Sequence, residues 1–152
     1  MKWIENTKSL IREHSLDAEI IEHEWWGKDS SKVSEALGVP LKNVIKGLVC
    51  FYDNNPVLTV ICGDDRLDLD KISRILRANV RLGRAKDLKA IGFQIGGVPA
   101  IGSGLKTIVD KKVLERGFII GSAGSPYVGI KMKPPDLIKI NNAIVDDITY
   151  ST

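Results

Sequence analysis

A chain of 152 residues, 43% hydrophobic and 27% charged, is long enough to bury a sizeable core and has the composition of an ordinary globular protein. Its net charge of +3 permits a polyanionic partner without demanding one, unlike the strongly basic balance of a dedicated nucleic-acid binder. No apolar run approaches the length of a membrane span, and the N-terminal "MKWIENTKSLIREHS" lacks the apolar core of a signal peptide, so a cytoplasmic location is expected.

Trp3, Leu10, Ile11 and His14 recur at helical spacing and predict an amphipathic helix over residues 2–14. "AEIIEHE" at 18–24 reads as a short strand. "DSSKVSEALGVP" offers Ser30 or Ser31 as an N-cap, a brief helix, Gly38 just past its end and Pro40 beyond. Next comes "NVIKGLVCFY", Asn43 to Tyr52, a run of strand formers with one lysine inside it. On strand geometry Val44, Lys46, Leu48, Cys50 and Tyr52 share one face, and Ile45, Gly47, Val49 and Phe51 the other. Neither face is otherwise charged, so this is an inner strand covered on both sides. An unpartnered lysine there is costly, so its stem snorkels to water or its head opens onto a cavity that uses the charge.

"DNNP" at 53–56 predicts a turn and "VLTVIC" at 57–62 a second strand, together an antiparallel hairpin. "GDDRLDLD" supplies acidic caps for a helix near 69–78, followed by a short strand near 80–84 and a helical turn through "AKDLKAI". "GFQIGGVPAIGSG", Gly92 to Gly104, holds five glycines and a proline in thirteen residues and must be an irregular loop. "KTIVD" reads as a strand, "KKVLERG" as a short helix ending at Gly117, "FIIG" as a strand, "SAGSP" at 122–126 as a turn and "VGIKM" as a strand. Pro134 and Pro135 open a final helix. Strands interspersed with short helices give an α/β chain with a mixed sheet and helices packed around it.

Few standard catalytic constellations are present. Cys50 and Cys62 sit in apolar strand contexts without paired spacing and read as buried free thiols. His14 and His23 make no metal-ligand set with them, and HExxH, GxSxG, GxGxxG and P-loop motifs are all missing, so no metal or cofactor is expected. What stands out is Lys46 and the Gly92–Gly104 loop, whose backbone N–H groups can approach an anion or a developing oxyanion without side-chain obstruction. Arg74, Arg77, Arg81 and Arg84 would form a stripe on one continuous helix; Asn79 and the "VRL" after it predict a helix end that breaks it. They remain candidates for contact with an RNA backbone beside the plainer reading of a solvated basic surface.

"SEALGVPLKNVIKGLVCF", "PVLTVICGDDRLDLDKI", "IGFQIGGVPAIG", "FIIGSAG" and "MKPPDLIKI", in this order and spacing, resemble the YbaK/ProX family. That family comprises trans-editing aminoacyl-tRNA deacylases and the related editing domain inserted in bacterial prolyl-tRNA synthetases. The resemblance runs from about residue 30 to 140 and implies one mixed α/β domain over 1–152 with an irregular central sheet. It implies hydrolysis of the ester joining an amino acid to the terminal adenosine of a mischarged tRNA, with no cofactor. The family lysine falls on Lys46, placed to hold the terminal phosphate or ribose rather than to act as a nucleophile. The family's Gly-x-x-x-Pro loop maps onto Gly96, Gly97, Val98, Pro99 and Ala100, whose backbone would bind the aminoacyl group and polarise the ester carbonyl. Ser122 lines up with a pocket position, against the alternative of a simple turn serine.

Three positions depart from the family pattern. The loop proline expected at 100 is Ala100, with proline one residue earlier; the threonine frequent after the lysine is Gly47; and Gly129 replaces a side chain that is acidic in some relatives with cysteine specificity. Gly47 and Gly129 therefore remove polar groups from the implied pocket. The implied partners are the acceptor end of aminoacyl-tRNA and, as a candidate, an aminoacyl-tRNA synthetase. The rival readings are a noncatalytic module holding an aminoacyl-adenosine or nucleotide-like ligand, or an unrelated enzyme on the same fold.

Overall fold

The β-hairpin at the centre of the molecule is the part the sequence dictates most directly. A computed structural model describes residues 2–23 and 29–150. In it β2 (Ile45–Tyr52) and β3 (Asn55–Cys62), following β1 (Glu19–Glu22), pair antiparallel from Ile45↔Cys62 to Tyr52↔Asn55. Only Asp53 and Asn54 separate them, both with positive φ (48° and 66°), so the turn is tighter than the four residues expected and β3 starts at Asn55. That twin left-handed geometry matches the twist of a two-residue hairpin, and aspartate and asparagine tolerate it.

Around this hairpin stands a five-stranded mixed sheet in the order β4-β2-β3-β5-β8, with β4 (Val80–Leu82), β5 (Lys106–Asp110) and β8 (Ile144–Asp146). A second, antiparallel sheet has the order β1-β7-β6, with β6 (Ile119–Ser125) and β7 (Val128–Met132). The alternation read for β2 holds. Ile45, Val49 and Phe51 enter a core shared with Leu58, Val60, Ile119, Ile130 and Met132, whereas Cys50 joins Val57, Ile61, Ile72 and Ile108 on the opposite face. The helix covering that opposite face is α3 (Leu69–Leu76), which supplies Ile72. Fully burying a side chain of this size stabilises by roughly 1.5–3 kcal/mol, so the hairpin is anchored from both of its faces.

The helices start and stop near the expected places. α1 (Lys2–Glu13) is amphipathic as predicted. α2 (Ser30–Leu37) ends at a left-handed Gly38, but its N-cap is Asp29, whose carboxylate accepts from the Lys32 amide, and not Ser30 or Ser31. α3 is capped by Asp68 and stops at a left-handed Arg77, short of Asn79. α4 (Ala85–Ala90) and α5 (Pro134–Asn141, opening on its two prolines) follow the sequence reading, and "KKVLE" closes into a 3₁₀ turn.

One further expectation fails, and one strand went unread. "SAGSP" is not a turn: Ser122–Ser125 belong to β6, with an irregular register against β7 between Ser122 and Ser125, and the reversal falls at Pro126–Tyr127. The small residues that suggested a turn instead let α1 press on the strand, where a Cβ on Gly124 would meet Trp3 Cβ at 2.5 Å. β8, parallel to β5, carries only exposed residues and gave no alternation to read. Glu24, the last residue of the first expected strand, lies outside the described residues. Among the described residues no helix is long and apolar enough to cross a membrane.

Candidate active site

The start of β2 is tied to the second sheet. Asn43 donates from Nδ2 to the Phe118 carbonyl at 2.8 Å, and Val44 bridges Ile120 in parallel. This brings the first residues of β2 beside β6, and the Gly-rich loop closes the space between them. The result is a cavity of about 210 Å³. Lys46 and Gly47 face it from β2, Gly96, Val98 and Ala100 from the loop, and Ser122 from β6. Val33, Val44 and Ile120, a small core of their own, make one side of it apolar.

Lys46 lines the cavity as one of its β2 residues, and its head is anchored by a backbone carbonyl. It is half-buried, and Nζ donates to the Asp65 carbonyl at 2.8 Å. The close pass of the chain after β3 makes this possible: a Cβ on Gly63 would stand 2.5 Å from the Val44 carbonyl oxygen. Asp65 does not neutralise Lys46, since its carboxylate is taken by Lys112 at 2.9 Å. Burial pushes the Lys112 ammonium down, but the hydrogen bond and charge of Asp65, with that of Asp110, leave it above its ordinary value. One of the three Lys46 donors is thus used by a neutral carbonyl, and its charge stays available to an anion.

The loop wall offers backbone donors, and only some of them are free. Gly97 N–H goes to the Gln94 carbonyl and Ala100 N–H to the Ser122 carbonyl at 2.8 Å, while Pro99 has none. The amides of Gly96 and Val98, both on the cavity wall, have no hydrogen bond within the described residues. A third donor and acceptor come from β2 itself. The β2–β4 ladder stops where Gly83 N–H meets the Val49 carbonyl, so the next outward-facing residue, Gly47, turns its N–H and C=O to the open edge.

The other expected residues are placed as follows. Gly97 and Pro99 are buried behind the wall, Gly97 against Gln94 and Pro126. Ser122 is on the wall, but its hydroxyl already braces the irregular stretch of β6, donating to the Ser125 carbonyl and accepting from Gly124 N–H. Gly129 is not part of the cavity; it lies inside the second sheet, where a Cβ would stand 3.1 Å from the Gly121 carbonyl oxygen. Its expected effect on the pocket is therefore withdrawn. His23 is on the wall with Lys46, and His14 is exposed. The two thiols are buried and free, and burial pushes each up to about 11, with the Asp65 carboxylate adding to the effect at Cys62.

The arginine stripe is broken as the sequence suggested. Arg74 and Arg77 belong to α3 and its end, and neither lines the cavity. Arg81 and Arg84 flank Leu82 and Gly83 at the cavity rim. Arg81 is already committed: it pairs with Asp87 at 2.9 Å and lies over the Phe51 ring at 4.8 Å.

A partly apolar cavity lined by a lysine and by loop residues with free amides suits an acyl ester carried on a polyanion. Comparison with known proteins agrees: residues 25–140 match the family model of the aminoacyl-tRNA editing domain. The chain belongs to that family. The editing domain is 28% identical to a protein of Enterococcus faecalis named "Putative Cys-tRNA(Pro)/Cys-tRNA(Cys) deacylase EbsC", covering 95% of the chain and 92% of that relative. It is 30% identical to a proline–tRNA ligase of Thermodesulfovibrio yellowstonii over 66% of the chain, which spans only 18% of the ligase. Among solved structures it superposes with a TM-score of 0.88 on the hypothetical protein APE2540 (23% identity, 95% of this chain and 99% of the other). The same TM-score relates it to a structure described as "a putative trans-editing enzyme for prolyl tRNA synthetase" (21% identity, 99% of both chains). At such identities these two superpositions establish the fold, which is the mixed α/β architecture expected.

Proposed function

We propose that this editing domain hydrolyses the ester of mischarged aminoacyl-tRNA, acting in trans. The observation that supports the reading is that Lys46, whose ammonium donates to one neutral carbonyl, lines the same cavity as Gly96 and Val98, whose amides are unbonded among the described residues. In this reading Lys46 holds the terminal phosphate or ribose of the acceptor end. The two loop amides polarise the ester carbonyl and stabilise the oxyanion that forms as a water oxygen adds to it. The ester C–O bond then breaks, the ribose oxygen leaves with a proton, and the amino acid departs as its carboxylate. The neighbouring ribose hydroxyl is the proposed proton relay, since buried thiols raised to about 11 are poor nucleophiles at neutral pH.

Single-turnover deacylation of tRNAs charged with alanine, serine, cysteine, threonine and proline tests the reading. Loss of one species with wild type but not with Lys46→Ala is the expected result. No hydrolysis of any species, with the tRNAs still bound, would instead establish a noncatalytic module.

The rim arginine Arg84 is the proposed contact to the RNA backbone, with Lys86 and Lys89 beside it; Arg74 and Arg77 are placed less well. Replacing Arg84 and Lys86 by glutamine should flatten the salt dependence of tRNA binding by about 1–2 in slope, and replacing Arg74 and Arg77 should change it less. Equal slopes for the two double variants would remove the rim assignment. An aminoacyl-tRNA synthetase as second partner is proposed on the likeness to the ligase alone.

A further inference from the structure

The loop wall is irregular, yet Gly97–Ile101 and Ser103 are buried, so its shape must be imposed from outside. One side chain does this from both sides of the bend. Asn141, the last residue of α5, donates from Nδ2 to the Ala100 carbonyl at 2.7 Å and accepts the Gly102 amide on Oδ1 at 3.3 Å. A primary amide presents a donor and an acceptor side by side without titrating, and only this orientation of it satisfies both partners. Asn141 therefore stands in for a neighbouring strand. It cannot wander, because Leu137, one turn earlier, is fully buried in the main core and Asn142 terminates the helix in a left-handed cap.

Ala100 is held twice, its N–H by Ser122 and its C=O by Asn141, and Val98 with its free amide is only two residues away. Helix α1 fastens the loop's outer parts: Trp3 Nε1 donates to the Gly92 carbonyl at 3.0 Å and Asn6 Nδ2 to the Gly102 carbonyl at 3.1 Å. Gly102 has φ 79°, and a Cβ there would lie 2.5 Å from Leu10 and 2.7 Å from Asn6 Nδ2, so the contact requires glycine. Asn141 and α1 both lie outside residues 25–140, the segment that matches the editing-domain model.

We infer that Asn141 is a positioning residue for the reaction: its side-chain amide sets the Gly96 and Val98 amides at the ester carbonyl while touching no substrate itself. This rests on the deacylase reading above. The test uses the full chain and single-turnover deacylation with enzyme in excess. Asn141→Leu removes both bonds and should slow hydrolysis by about 10- to 100-fold, the loss expected from a misplaced catalytic group. The apparent Kd for charged tRNA should change by less than about twofold, because the bonds lost act on the transition state. Asn141→Asp keeps the acceptor but sets a carboxylate against the Ala100 carbonyl. Its rate should recover towards wild type as the pH falls and the carboxyl group regains an O–H donor, which keeps the inference testable if the leucine variant does not fold. A folded Asn141→Leu with the wild-type rate overturns the inference, as does an Asn141→Asp deficit that does not vary with pH. Wild type inactive on every charged tRNA would overturn the deacylase reading and this inference with it, whereas active wild type beside an equally active Asn141→Leu overturns the inference alone.

Discussion

Lys46 is held by a strand whose neighbours alternate between two cores, whereas Gly96–Ala100 is held by single hydrogen bonds from residues distant in the chain. The strand wall has Ile45 and Val49 on one side and Cys50 on the other, each buried, and a continuous pairing with β3. The loop wall has neither a ladder nor an apolar alternation. Its bonds come from Ser122, and from Asn141 at sequence separations of 41 and 39 residues. A rigid strand suits a charge that must stay put, and a fastened loop suits backbone amides that a regular sheet would have consumed in its own pairing. The site needs both kinds of wall because a strand spends its N–H groups on its neighbours, and an oxyanion needs amides that are unspent.

The largest expected effect separates chemistry from scaffold on the strand wall. Lys46→Ala should lower deacylation by about 100- to 1000-fold, the scale of losing one preorganised charge-stabilising donor. Stability should fall by no more than about 1 kcal/mol, because one half-exposed hydrogen bond to the Asp65 carbonyl is all the fold loses. Denaturant midpoints beside single-turnover rates check both. A loss of rate matched by a loss of folded protein would make Lys46 part of the scaffold and erase the contrast between the walls.

That contrast also explains what could be read from the chain. The faces of β2 follow from a period of two, and the extent of the Gly92–Gly104 loop follows from glycine and proline, both properties of neighbouring residues. Placing Lys46 beside Ser122 required only that Val44 pair with Ile120. By contrast nothing near Asn141 signals that its amide reaches the loop, because the α5 backbone around it is ordinary helix. The turn predicted at Ser122–Pro126 failed for a related reason. Serine, alanine and glycine favour a turn when considered alone, but the Ala123 carbonyl accepts from Thr7 of α1 at 3.0 Å, and that long-range contact settles the conformation. Gly129 was assigned to the pocket by position in a family pattern, and the second sheet encloses it instead.

A smaller effect tests the loop wall by one bond. Ala100→Pro restores the residue the family pattern expects but removes the N–H that reaches the Ser122 carbonyl at 2.8 Å. Ala100 is buried, so the carbonyl of Ser122 loses a partner where water does not readily replace it. The cost should be about 1–3 kcal/mol in the free energy of unfolding, measured by denaturant titration. An unchanged midpoint would mean that this bond does not fasten the loop and that Asn141 holds it alone.

The smallest effect concerns the rim, where the fastening is charged and local. Asp87 accepts from Arg81 at 2.9 Å and from the Arg84 amide at 2.8 Å, and these bonds hold its carboxyl below the usual aspartate value of about 3.9. A depressed carboxylate contributes stability that is complete above its unfolded pKa and is lost as the pH falls through its folded one. Below about pH 4 the start of α4 and its link to β4 should therefore loosen. Arg81→Gln should move the Asp87 titration back upward, as followed by carboxyl chemical shifts. The loop wall is fastened by uncharged amides, so hydrogen exchange at Ala100 and Gly102 should stay slow over the same acid range while exchange at Arg84 and Leu88 quickens. Simultaneous loosening of both would show that the rim and the loop open as one unit, and the two walls of the cavity would then differ in construction without differing in behaviour.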